Sequence, residues 1–103
     1  MATQRMTFFK VFDPQAHSDD LIQKYNILRE TNKKDGKPYI RSIIAKPTIA
    51  NRLDNGYNFV AITTFDSLED LEFYDKECPA HKKLKEFSNE VTERPPQSVW
   101  IYL

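Results

Sequence analysis

The chain has 103 residues, with 15 basic and 15 acidic side chains and therefore no formal net charge. Because nucleic-acid binding draws on clustered cations, this balance argues against nucleic acid as a partner. The length suits a single hydrophobic core, so we expect residues 1–103 to form one domain.

The distribution of apolar residues and the cysteine count indicate in which cellular compartment the protein is expected. No window approaches the ~18 apolar residues of a membrane span, and the first nine residues hold no apolar run of signal-peptide length. Cys78 is the only cysteine, which leaves no partner for an internal disulfide and no thiolate-rich metal site. We therefore expect a cytoplasmic protein without membrane contact, metal or other cofactor.

The first half of the chain predicts a strand, a helix and a second strand. Residues 7–12 are rich in aromatic and β-branched side chains, and the Asp13-Pro14 pair ends that strand. Ser18 is the predicted cap of a helix that fades near Asn32. Residues 39–45 form the second predicted strand.

The second half predicts a strand, two helices and a last strand. Residues 57–65 form the strand, and the capping-box pattern of residues 66–69 opens a helix that runs to about Tyr74. Pro79 takes the first position of the next helix, where its missing N–H costs nothing, and residues 99–103 form the last strand. The order β-α-β-β-α-α-β predicts an α+β, ferredoxin-like fold with a four-stranded antiparallel sheet.

Two predicted strands are apolar without alternation, at residues 59–62 and 99–103. A sheet with one solvated face would alternate apolar with polar residues, so both faces of this sheet require a cover. The helices shield one face only. We therefore expect a homodimer in which two sheets pack face to face and close an α+β barrel. The alternative is a monomer in which short strands leave single apolar residues exposed on one face.

At this point the residues resemble a known family, the stress-responsive A/B barrel domain, which includes olivetolic acid cyclase. The resemblance is carried by Asn-Gly-Tyr at residues 55–57, Phe-Asp-Ser-Leu-Glu-Asp-Leu at residues 65–71, Tyr74, and Pro-Ala-His at residues 79–81. It extends more loosely over nearly the whole chain. The resemblance implies the same dimeric barrel fold, which is a firmer inference than any shared activity.

The resemblance also implies a set of catalytic residues. In the cyclase, the histidine of the Pro-Ala-His triplet acts with two tyrosines and with a histidine near the start of the first strand. His81, Tyr25 and Tyr74 match the first three. The first-strand histidine has no counterpart, since Met6 or Thr7 stands there.

The residues themselves leave two interpretations of this set open. His81 lies near a helix start, where the positive end of the helix dipole lowers the pKa of an imidazole and favours the neutral, proton-accepting form. It can equally serve only as a hydrogen-bond donor to the preceding loop. Tyr25 and Tyr74 are either buried structural phenols or hydrogen-bond donors to ligand oxygens.

Two functions are therefore expected as alternatives. The first is a stress-response-type homodimer that holds a small apolar or aromatic ligand between sheet and helices. The second is a cofactor-free polyketide cyclase or lyase, in which His81 is the general base and a tyrosine stabilises the developing negative charge. The expected pocket lining consists of Phe8, Ile22, Phe59, Ala61, Leu84 and Phe87.

Overall fold

The computed structural model describes all of residues 1–103 and confirms the predicted order of elements. The elements are β1 (Thr3–Phe9), α1 (Pro14–Thr31), β2 (Ile40–Pro47), β3 (Phe59–Phe65), α2 (Leu68–Lys76), α3 (Pro79–Val91) and β4 (Gln97–Tyr102). The four strands form one antiparallel sheet in the order β2-β3-β1-β4. The helices pack on one face of this sheet, as expected for a ferredoxin-like fold.

The first strand lies earlier in the chain than its predicted position at residues 7–12. It begins at Thr3 and ends at Phe9, and it is central because β3 and β4 both pair with it. Its burial alternates strictly, so Thr3, Arg5 and Thr7 face the helices although all three are polar. The predicted start of the strand depended on apolar residues, and the three polar residues at inward positions hid the true start at Thr3.

The first helix begins four residues before the predicted cap at Ser18. Asp13 adopts a left-handed conformation with φ 43°, and Pro14 occupies the first turn, where its fixed φ suits helical geometry. Ser18 is instead buried inside the helix. The Asp13-Pro14 pair, predicted to end the strand, therefore starts the helix.

The second and third helices follow their local start signals. The Ser67 hydroxyl accepts a hydrogen bond from the backbone N–H of Asp70 at 3.1 Å and caps α2. Pro79 is the first residue of α3, as predicted. The buried residues of α3 are His81, Leu84, Ser88 and Val91, whereas Ala80 and Phe87 lie half-buried beside them.

The sheet face opposite the helices, called the open face below, has no cover within the chain. A row of apolar residues crosses all four strands there, formed by Ile44, Ile62, Met6 and Val99 at paired positions. Ile44 and Val99 are 45% and 41% exposed. Val60, Phe8 and Ile101 extend the same face. The structure therefore confirms that both faces of the sheet are apolar.

On the helix side of the sheet, the last strand, β4, is also left uncovered by the helices. Every residue of β4 is exposed, including Trp100 and Tyr102, which pair with Arg5 and Thr3 and so point to the helix side. The helices therefore cover β1 and leave β4 uncovered. The uncovered strand borders the candidate site.

Candidate functional site

The site is built around a direct contact between His81 and Tyr74. Their rings stack with centroids 3.7 Å apart and an interplanar angle of 12°. His81 Nδ1 also lies 2.8 Å from the backbone carbonyl oxygen of Tyr74. Both side chains are buried, and they lie near the end of α2 and the start of α3. The two residues predicted from the chain to act together are therefore in contact.

The contact fixes the tautomer of His81. A carbonyl oxygen only accepts hydrogen bonds, so Nδ1 must carry the proton and donate it to Tyr74. Burial lowers the pKa of His81 to about 3, with a further lowering by the charge of Arg5. The ring is therefore neutral near pH 7, and its lone pair lies on Nε2. That form accepts a proton, as the helix-start argument predicted, although desolvation is the larger cause.

This lowered pKa predicts a specific dependence of stability on pH. The unfolded chain takes up a proton on His81 near pH 6.5, whereas the folded chain does so only near pH 3. Stability should therefore be unaffected by this group above pH 6.5 and fall as the pH drops from 6.5 towards 3, by up to about 1.4 kcal/mol per pH unit. The measurement is the free energy of unfolding by urea at several pH values for wild type and His81→Gln. The free energy of unfolding should fall less steeply with decreasing pH in the variant than in wild type. Parallel curves of unfolding free energy against pH for the two proteins would contradict the prediction.

Arg5 is a buried cation in this layer that the sequence interpretation missed. Its side chain is 9% exposed, and its guanidinium carbon lies 5.3 Å from the centre of the Tyr74 ring. Nη1 donates to the hydroxyl of Thr7 at 2.7 Å, and Nη2 lies 3.5 Å from a carboxylate oxygen of Asp75. The sequence offered no signal for it, because the inward residues of β1 include Thr3, Arg5 and Thr7, and their alternation in burial exists only in the paired strand.

Tyr25 lies in the same layer on the buried face of α1. It is 1% exposed and stacks on Phe59 at 6.5 Å between ring centroids. Burial raises the pKa of Tyr25 and of Tyr74, and the charge of Arg5 opposes that rise in both. The same charge lowers the pKa of His81. All three residues predicted as catalytic therefore lie within the electrostatic influence of Arg5.

Arg5 and Tyr74 each have one fully buried polar atom without a hydrogen-bond partner. These atoms are Nε of Arg5 and the hydroxyl oxygen of Tyr74. Buried polar groups are almost always paired, because an unpaired one forfeits its hydrogen bonds to water. Each atom carries a donor hydrogen that no protein acceptor receives. The name Arg5 cluster is used below for Arg5, Tyr25, Tyr74 and His81.

The residues predicted to line a pocket are dispersed. Phe59 and Ala61 are fully buried in the core beside the cluster, and Ile22 packs half-buried against that core. Leu84 and Phe87 border a groove of about 930 Å³ at the surface between α1 and α3. Phe8 lies on the open face, 6.3 Å from the ring of Tyr57, so it does not line a space between sheet and helices. Its position follows from the strand boundary, which places it at an outward position of β1.

Two further features concern metals and membranes. No three or more His, Cys, Asp or Glu side chains lie close enough together to hold a metal ion. None of the three helices combines the length and the apolar character that crossing a membrane requires.

The architecture and the cluster together define a ferredoxin-like α+β protein with a polar group buried between sheet and helices. A family profile, the Stress responsive A/B Barrel Domain, matches residues 3–97. The chain belongs to this family, which confirms the resemblance seen in the sequence.

The chain is also similar to individual proteins of known sequence or structure. A "Fusaristatin A biosynthesis cluster protein" of Gibberella zeae is 36% identical over 89 residues, which cover 85% of this chain. The chain spans 63% of the length of that relative. A dimeric ferredoxin-like protein from Thermobifida fusca superposes with a TM-score of 0.78 at 14% identity, covering all of this chain and 92% of the other. Hydroxynitrile lyase from Passiflora edulis gives a TM-score of 0.73 at 16% identity, covering 98% and 94%.

Proposed function

We propose that residues 1–103 form one domain of a homodimeric α+β barrel that binds a small apolar or aromatic molecule at the Arg5 cluster. The observation that carries the binding site is the pair of buried, unpartnered donors, Arg5 Nε and the Tyr74 hydroxyl. A ligand oxygen placed between the helices and the sheet would satisfy them. The aromatic and aliphatic core around the cluster suits the apolar part of such a ligand.

The dimer follows from the open face. Its apolar row crosses the whole sheet, and monomeric proteins rarely expose such a continuous patch. A second copy presents the same row and therefore covers it symmetrically. Dimeric relatives with the same fold support this arrangement. A cytoplasmic location is proposed as well, supported by the free thiol of Cys78.

A second candidate function is cofactor-free proton transfer, as in a cyclase or lyase. The observation that favours it is the fixed tautomer of His81, which leaves Nε2 as a proton acceptor. In this mechanism Nε2 removes a proton next to a substrate carbonyl, and the Tyr74 hydroxyl donates to the oxygen that becomes negative. A biosynthesis cluster protein and a hydroxynitrile lyase among the similar proteins are compatible with such chemistry.

The binding proposal predicts opposite effects of Tyr74→Phe on affinity and on stability. The hydroxyl has no partner in the free protein, so its removal should leave the free energy of unfolding unchanged or slightly higher. Affinity for a phenol such as 2-naphthol should fall by ~0.5–1.5 kcal/mol, the worth of one hydrogen bond. NMR titration of the dimer gives the affinity, and denaturant unfolding gives the stability.

The matched control is Tyr57→Phe, because Tyr57 makes an edge-to-face contact with Phe8 on the other side of the sheet. It should leave naphthol affinity unchanged. Absence of naphthol binding to wild type, or equal affinities for wild type and Tyr74→Phe, would contradict the proposed site.

A further inference from the structure

The buried guanidinium of Arg5 makes fewer hydrogen bonds than its donors allow. A guanidinium has five N–H donors. The hydrogen bonds of its side chain are one to Thr7 at 2.7 Å and one to Asp75 at 3.5 Å, and Nε has none. Since the side chain is 9% exposed, water can compensate little of this deficit.

The nearby charges leave the site positive. Asp75 is the acidic partner of Arg5, but its contact is long and its side chain is 30% exposed, so solvent weakens the attraction. The ammonium of Lys85 also donates to the backbone oxygen of Asp75 at 3.0 Å, which places a second cation close by. His81 is neutral near pH 7 and adds no charge. A carboxylate carried by a ligand would supply the missing negative charge.

The uncovered last strand borders Arg5 on the helix side of the sheet. Arg5 pairs with Trp100 and Thr7 pairs with Ser98, and both β4 residues are exposed on the helix side. The Ser98 hydroxyl lies 3.4 Å from that of Thr7 and accepts from the Trp100 indole N–H at 3.2 Å. A chain of polar groups therefore runs from Arg5 to the edge of the helix layer, bordered by an aromatic ring.

We propose that Arg5 makes the Arg5 cluster selective for small aromatic or apolar carboxylic acids. The carboxylate of such a ligand accepts hydrogen bonds from the free Nε–H of Arg5 and from the Tyr74 hydroxyl. This inference rests on the proposed binding function and adds the substrate class. Arg5 acts here as a specificity-determining residue. The guanidinium offers two adjacent N–H groups in the planar geometry that a carboxylate accepts.

The test compares 2-naphthoate with its neutral analogue 2-naphthamide. Each compound is titrated into the dimer of the 103-residue chain and followed by NMR, including the indole N–H of Trp100. Wild type should bind the acid about 10- to 100-fold more tightly than the amide, the range expected for hydrogen bonds to a charged group. Arg5→Gln should remove this preference, and Arg5→Lys should restore part of it. Arg41→Gln, which removes an exposed arginine of β2, should keep the full preference.

The outcomes separate this inference from the function on which it rests. Equal affinity of wild type for acid and amide would overturn the selectivity and leave the binding site standing. No binding of either compound would overturn both. Should Arg5→Gln fail to fold, the ratio of the affinities for acid and amide is compared between wild type and Arg5→Lys. A purely structural arginine would give a ratio near one, which would overturn the selectivity.

Discussion

A chain carrying Ile62→Asp is expected to have the mass of a monomer, 12.1 kDa. For wild type, the proposed homodimer predicts twice that mass. Ile62 lies at the centre of the open face, between Ile44 and Met6. A carboxylate there would be buried without a partner in the dimer, at a cost of several kcal/mol, whereas in the monomer it faces water. At micromolar concentration a loss of ~4 kcal/mol weakens association about 1,000-fold. Light scattering after gel filtration measures the mass.

The control variant is Ile27→Asp, which makes the same chemical change at an exposed position of α1, on the opposite side of the molecule. It should remain dimeric. Val60→Asp, two residues from Ile62 on the open face, should repeat the effect. An Ile62→Asp chain that stays dimeric and folded at micromolar concentration would show that the open face is not the interface.

His81→Ala is the change on which the two candidate functions differ most. If the protein catalyses proton transfer, loss of the imidazole should slow ring closure of a linear polyketide-type substrate by ~10²–10⁴. The binding function predicts no reaction in wild type above the protein-free blank, and a change in ligand affinity of about one hydrogen bond, ~0.5–1.5 kcal/mol. Product formation is followed by chromatography for wild type, variant and blank.

The matched control is His17→Ala, since His17 is the only other histidine and lies on α1 outside the cluster. It should retain the full rate of any reaction. Light scattering and unfolding of His81→Ala establish whether a lost rate reflects chemistry. Equal rates for wild type, variant and blank would eliminate the cyclase candidate for those substrates, and equal rates above the blank would remove His81 from the mechanism.

The sequence determined the fold because the signals for its elements are local. Helix-start signals act within one helical turn, so Pro79 could be assigned to the first position of α3 without knowing its neighbours. The pattern at residues 66–69 likewise marked the start of α2, where the cap is Ser67. Apolar residues in unbroken runs also predicted a sheet with two covered faces. The motif around Pro79 led to the family. His81, Tyr25 and Tyr74 followed from that resemblance, and the structure places them in one layer.

Only the tertiary structure decided how the site is composed. Arg5 belongs to a strand whose inward residues are polar, so its orientation depends on pairing with β3 and β4, which are distant in sequence. The same pairing turned Phe8 to the open face. His81 lies one residue from Ala80, a rotation of about 100° on a helix, and the docking of α3 decided which of them is buried. Local patterns fix elements, whereas strand pairing and helix docking fix which side chains meet.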